Sequence, residues 1–394
     1  MVTQAHRESA PQLDPFEGKN SLATAVTKFS DPAVIPGGAA GGGFARSASE
    51  VRPPPDGFRR RLEVPHSVDM HLTYFGRPVI NGTQERLGEE AGVAETHNRS
   101  SIPARGTPER ARLLALLAEK AKFVRRETVR LTRIAGAGHY TGTFSAAELF
   151  AALYYAQLRF RPDDPGWAER DRFVLSKGHA AIGLYPVLAD VGFFPPESLD
   201  DYTRLGSRFG DHPDMRKVPG VDFSSGSLGH GLSVALGMAL SARARRAEYL
   251  TYCMLGDGEL AEGQVWSAAM AAGHFGVGNL IAIVDRNKLS IDGPTESVMG
   301  VEPLNDKFAA FRWDARRIDG HDLEAILDQF SIIRAERSEK PIVVIADTVK
   351  GRGVQRMEFD KDWHVGNLTG QDYDDVLAEI EDGLRPVRGY LDVP

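Results

Sequence analysis

The chain has 394 residues, 42% hydrophobic and 26% charged, with a formal net charge of −7. That allows a large core, in one big domain or two ordinary ones, and argues against a nucleic-acid or anionic-membrane partner. No run approaches the ~18 apolar residues of a membrane span, no apolar stretch follows the N-terminal charges as a secretory signal would require, and the lone Cys253 leaves no internal disulfide and points to a reducing, cytoplasmic setting.

Residues 1–104 are rich in Gly, Pro and Ser; the segments PGGAAGGG at 36–43 and RPPPDG at 52–57 cannot sustain a helix or a central strand. This part reads as an extension, largely loop or disordered, with one apolar stretch at 68–92 that could dock. From residue 105 onward the chain reads as one domain. Thr107 as N-cap, Pro108 at the first helical position and Glu109 in the first turn start a long helix, striped by Leu113, Leu117, Ala121, Val124 and Val129. A second helix is predicted from Ser145 as N-cap, with Glu148 at its third position, to about Leu158.

Thereafter short apolar runs at 172–176, 250–255, 279–285 and 341–347 alternate with helical stretches near 180–190, 229–247, 262–275 and 321–337. The runs lack period-two alternation, which suits strands buried on both faces of a parallel sheet. The fold class is therefore α/β, a doubly wound and mainly parallel sheet.

The segment MLGDGELAEGQVWSAAM at 254–270 runs from an apolar strand into Gly256-Asp257-Gly258, and the next strand ends in Asp285-Arg286-Asn287. Either motif alone is more often an ordinary turn. Together they put a carboxylate, Asp257, and an amide, Asn287, at two sequential strand ends, 287 − 257 = 30 residues apart, where open parallel sheets bind ligands. Two glycines let backbone approach a ligand closely. Mg²⁺ takes about six oxygens and usually shares them between few protein groups and a phosphate, so the pair suits a metal-bridged diphosphate.

Gly-Asp-Gly, thirty residues, then Asn resembles the thiamine-diphosphate motif, and the string from Gly256 to Gly293 resembles transketolase in particular, within a match from about Thr107 to about Gln371. The resemblance implies thiamine diphosphate and Mg²⁺ (or Ca²⁺ or Mn²⁺) as cofactors. It implies metal ligation by the side chains of Asp257 and Asn287 and the carbonyl of Leu289. Gly258 and Glu259 are placed at the cofactor, Ile291 under its rings, and Glu262 as a buried glutamate that communicates with a second active site.

Five histidines stand in matching contexts. His139, in AGHYTG, resembles the histidine of a Ser-Gly-His-Pro-Gly segment near the substrate carbonyl, without its proline. His179 and His364 resemble histidines on the diphosphate side, His364 also serving catalysis. His212 resembles the one that meets the donor's first hydroxyl. In SGSLGHG, Gly226 and Leu228 match positions at the aminopyrimidine, while Ser227 and His230 replace the commoner Pro and Gln, which leaves His230 open between cleft and structural roles. Neutral imidazoles suit proton exchange with sugar hydroxyls near pH 7.

By the same resemblance the activating glutamate and the sugar-phosphate site belong to a second domain. Pro394 follows too soon to hold another ~150-residue domain, so a separate C-terminal subunit is expected, in an α2β2 assembly. The implied activity is transfer of a two-carbon ketol unit from a ketose or ketose phosphate to an aldose or aldose phosphate. Alternatives are a non-catalytic or regulatory homologue, or the α subunit of a 2-oxo-acid dehydrogenase, whose Gly-Asp-Gly-Ala and Asn-Asn pattern GDGELAEGQVW and DRN do not follow.

Overall fold

The computed structural model describes residues 101–336 and 338–385; the 68–92 stretch and all but the last four residues of the expected extension lie outside them. Five parallel strands, β1 (Arg172–Leu175), β2 (Thr251–Gly256), β3 (Leu280–Arg286), β4 (Asp314–Asp319) and β5 (Ile342–Asp347), form one sheet in the order β1-β2-β3-β5-β4. The main helices are α1 (Pro108–Ala135), α2 (Ala147–Ala152), α3 (Ala181–Asp190), α4 (Gly231–Arg245), α5 (Gly263–His274), α6 (Leu323–Ala335) and α7 (Gln371–Asp382). This is the doubly wound α/β sheet that the alternating runs predict. Among the described residues no helix is long and apolar enough to cross a membrane.

Alternate residues of the strands feed two separate cores. Tyr252, Met254, Ile281, Ile283 and Val344 pack with α1, α2, α3 and α6 on one face; Cys253, Leu255, Ala282, Val284 and Ile345 pack with α4 and α5 on the other. Each fully buried aliphatic side chain contributes roughly 1.5–3 kcal/mol, which is why apolar runs without alternation become central strands. The fifth strand, β4, is a correction to the four expected. Its sequence, DARRID, has no apolar run because it is a half-buried edge strand whose arginines are held by carboxylates, Arg317 by Asp347 at 2.7 Å and Arg316 by Asp314 at 2.6 Å.

The first helix starts as predicted, with the Thr107 hydroxyl accepting from Arg110 N at 3.2 Å. The second does not. Ser145 is itself helical and caps nothing, Ala146 takes the N-cap position, and the buried Ser145 hydroxyl donates instead to Asp285 Oδ2 at 2.7 Å. Glu148 likewise serves no cap: its Oε2 accepts from Arg125 Nη2 at 2.8 Å and lies 2.9 Å from His321 Nδ1. Arg125 also donates to the carbonyls of Phe144 and Arg352, each at 2.9 Å. This buried cluster ties α1 and α2 to the loops that follow β4 and β5.

Burial alone would raise the Glu148 carboxyl, but the Arg125 charge and His321 outweigh it and hold it down at about 2. A depressed carboxyl stabilises the fold above its ordinary value of 4.5 and loses that contribution as pH falls toward 2. Glu148→Ala, which strands a buried guanidinium, is expected to cost about 3–5 kcal/mol in urea unfolding at neutral pH. The deficit relative to wild type should shrink as pH is lowered through that window; a deficit that is small at neutral pH, or constant with pH, contradicts the account.

Candidate functional site

Because all strands are parallel, their C-terminal ends share one edge. Gly256 pairs in register with Asp285, and Asp257 N donates to the Asp285 carbonyl at 3.2 Å, so Asp257 and the 285–289 segment are neighbours as the thirty-residue spacing predicts. Asp257 is buried. Its Oδ1 accepts from Gly258 N at 2.8 Å; its Oδ2 accepts from Arg286 Nη1 at 2.9 Å, from Lys288 N and, at 3.4 Å, from Thr295 Oγ1. Burial pushes its carboxyl up, with Arg286 opposing. Lys288 takes a φ of 68°, a left-handed backbone uncommon in non-glycine residues and found where surroundings fix it. Its N–H on Asp257 and its carbonyl, which accepts from Thr295 N at 2.9 Å, supply that fixing.

Asn287 donates its amide to Asp285 Oδ2 at 3.2 Å and accepts from Leu289 N at 3.2 Å. The Leu289 carbonyl accepts from Lys350 Nζ at 2.9 Å. A carboxylate, an amide oxygen and a carbonyl are hard oxygen donors, the set that Mg²⁺ or Ca²⁺ prefers. Among the described residues no three His, Cys, Asp or Glu side chains group to hold a metal by themselves, so the cation would need oxygens from a ligand. Ile291 is 58% exposed. Gly258 is close to Ser290, which a Cβ would meet at 3.3 Å.

Four of the five singled-out histidines converge. The His139 ring lies 5.3 Å from His179, 5.5 Å from His364 and 6.2 Å from His212, and His179 lies 5.5 Å from His364. An antiparallel bridge between Gly138 and Gly366 joins the segments of His139 and His364; the turn after β1 supplies His179. Burial, then the Lys177 charge, lowers His179 well below the ordinary imidazole range; burial and Lys350 push His364 down to about 3. Both rings are thus neutral at pH 7. His230 stays outside: it is exposed and donates Nδ1–H to the Leu228 carbonyl at 3.0 Å.

The loop of Gly226 and Leu228 is tied down by Glu259, whose buried carboxylate accepts from Ser176 Oγ, Gly229 N at 2.8 Å and Gly256 N at 3.1 Å. Gly178 is required here, since a Cβ would stand 2.6 Å from Ser225 Oγ and 3.1 Å from Gly226 N. Ser225 Oγ is buried without a hydrogen-bond partner, a donor left for a ligand between these turns. Glu262, at the N-cap position of α5, is exposed in the single chain.

Sequence reasoning missed two buried lysines. Lys177 Nζ donates to Asp285 Oδ2 and, at 2.7 Å, to the Gly142 carbonyl; Lys350 Nζ contacts His364 Nδ1 at 2.8 Å, and burial pushes it down to about 8. Both stand two or three residues beyond an apolar strand, the signal that could have found them. Two ammonium groups beside neutral imidazoles form an anion-holding set next to a divalent-cation set, and the residues present fit a metal diphosphate. A cavity of about 700 Å³, lined by Leu250, Asn279, Arg159 and Arg334, opens at the opposite edge of the sheet and shares none of these residues.

Residues 118–386 match the family model described as the thiamine diphosphate binding domain of transketolase. The chain is 41% identical over 260 residues to an apulose-4-phosphate transketolase subunit from Phocaeicola vulgatus, covering 66% of this chain and 92% of that one. It is 41% identical over 266 residues to the 6-deoxy-6-sulfo-D-fructose transketolase subunit SqwG of a Clostridium species, covering 67% and 96%. Rat transketolase is 37% identical over 288 residues, 73% of this chain but 45% of that protein. The solved transketolase of Leishmania mexicana superposes with a TM-score of 0.63 at 27% identity, over 67% of this chain and 41% of that one. The chain thus spans less than half the length of those last two transketolases. It belongs to the transketolase family, as a chain carrying that family's thiamine-diphosphate-binding N-terminal domain.

Proposed function

We propose that this chain is the cofactor-binding subunit of a two-chain transketolase, which moves a two-carbon ketol unit from a ketose or its phosphate to an aldose or its phosphate. Residues 105–394 form the cofactor domain and 1–104 an appended segment. The observation that carries the reading is the meeting of four histidines with the Asp257–Asn287 strand ends at one sheet edge. Asp257, Asn287 and the Leu289 carbonyl hold a divalent cation. His179, Lys177 and Lys350 would hold the cofactor's diphosphate, Gly226, Leu228, Gly258 and Glu259 would frame the cofactor, and Ile291 would support its rings. Bound thiamine diphosphate supplies the carbon nucleophile and electron sink.

His139 and His212 exchange protons with the sugar's hydroxyl and carbonyl oxygens, and His364 donates a hydrogen bond to them. A depressed His364 is a weak base but a neutral donor, suited to holding a hydroxyl without adding charge. The Phocaeicola and Clostridium relatives, each named as one subunit of its enzyme, match over nearly their full length. That supports a second chain as the source of the activating glutamate and the sugar-phosphate site, in an α2β2 assembly housed in the cytoplasm. Ile291, Val298, Met299 and Val365, each more than 40% exposed, give the loops around this edge apolar surface for that partner. Glu262, exposed in the single chain, would communicate between sites across the assembly.

Ketol transfer assayed with thiamine diphosphate and Mg²⁺ should appear only when this chain is mixed with a transketolase C-terminal subunit; turnover by the chain alone contradicts the division of the site. Asp257→Ala should abolish Mg²⁺-dependent cofactor binding in calorimetry while circular dichroism stays native. Retained binding in that variant would mean the metal site is elsewhere.

A further inference from the structure

One carboxylate inside the histidine cluster has no part in the assignments above. Asp211 Oδ1 lies 3.3 Å from His139 Nδ1. The same oxygen accepts from the Tyr202 hydroxyl at 3.4 Å. His212 Nδ1 stands 3.6 Å from the other oxygen, beyond a hydrogen bond. The carboxylate therefore bonds one of the two flanking imidazoles and only neighbours the other.

Its position is built. Tyr185 and Tyr202 are both fully buried and pack edge to face with ring centroids 6.2 Å apart. The Tyr185 hydroxyl donates to the Gly210 carbonyl at 3.0 Å, fixing the backbone just before Asp211, while Tyr202 fixes the carboxylate. Two buried phenols thus buttress one acidic side chain that is itself 41% exposed. Burial alone would raise the Asp211 carboxyl, but its hydrogen bonds with His139 and Tyr202 and the nearby His212 hold it below its ordinary value.

An ionised carboxylate only accepts hydrogen bonds. The hydrogen between Asp211 and His139 must therefore sit on Nδ1, which leaves Nε2 as the acceptor nitrogen of the neutral ring. We propose that Asp211 is a positioning residue that fixes the Nδ1-protonated tautomer of His139, so that Nε2 is the nitrogen exchanging a proton with the substrate oxygen. The catalytic half of this inference rests on the ketol-transfer reading; the tautomer does not.

Long-range ¹H–¹⁵N correlation spectra of the full chain, labelled in histidine, read the tautomer directly, with His139 identified by the signal lost in His139→Gln. Wild type should show protonated Nδ1 and bare Nε2 for His139, and Asp211→Ala should show a mixture. Tyr202→Phe, which keeps the carboxylate but loosens its support, should lie between them. In the assembled two-chain enzyme Asp211→Ala should lower kcat about tenfold, a fraction of what a whole general acid–base residue supplies, with donor KM changed less than about twofold; Asp211→Glu should recover part of the loss. A His139 ring carrying its proton on Nε2 in wild type, or a tautomer unmoved by Asp211→Ala, overturns the proposal. If the tautomer behaves as stated but no assembled enzyme transfers ketol units, the positioning stands and the functional reading fails.

Discussion

Everything at the candidate site hangs on one buried carboxylate, Asp285. It is fully buried at the end of β3, and an unpaired charge there would cost several kcal/mol. Donors from four directions remove that cost: Lys177 beyond β1, Thr348 beyond β5, Ser145 from the segment before α2, and the Asn287 amide. Its backbone carbonyl also receives Asp257 N from the end of β2. Burial would raise the Asp285 carboxyl, yet Lys177 and these hydroxyls hold it below its ordinary value. Asp285 is therefore committed as an acceptor and ties the ends of β1, β2, β3 and β5 to the segment before α2.

The same accounting explains why the helix expected from Ser145 begins elsewhere. A serine whose hydroxyl answers a buried carboxylate cannot also cap a helix, and tertiary demand outweighs a cap typically worth about 1 kcal/mol. Glu148, drawn into the Arg125 and His321 pair, follows the same logic. The capping pattern holds at Thr107 and fails at Ser145, whose hydroxyl is drawn to Asp285.

The parallel sheet was legible because its strands are continuous apolar runs, and with it the placing of Asp257 beside Asn287, since adjacent parallel strands align their ends automatically. Convergence of His139, His179, His212 and His364 was legible only through family resemblance; nothing in spacing says that the turn after α1 meets the segment at 364–366. Lys177 and Lys350 are marked only by standing just past apolar strands, while Glu148 and Asp211 take their roles from Arg125, His321, His139 and Tyr202, which no single window of sequence brings together. Edge strand β4 was hidden for the opposite reason: half exposure lets it carry charges, and charges erase the pattern by which strands are read.

The distribution of charge around Asp257 has a direction. Arg286, fully buried, pairs with Asp257, Glu296 and Glu302 at 2.9, 3.0 and 3.1 Å, three carboxylates on one guanidinium, and Arg317 shares Glu302. Lys177 and Lys350 lie near enough to Asp257 and Asp285 to feel their charges. Carboxylates therefore cluster, paired with arginines, on the side of the 286–302 segment, and the ammonium groups of Lys177 and Lys350 stand on the other. In a region of low dielectric such separation acts strongly and costs no rearrangement when a ligand enters. A simple anion would be drawn to the lysines and repelled by the carboxylates, and a bare cation the reverse. A ligand that carries both, an anion joined to a divalent cation, would satisfy the two halves together.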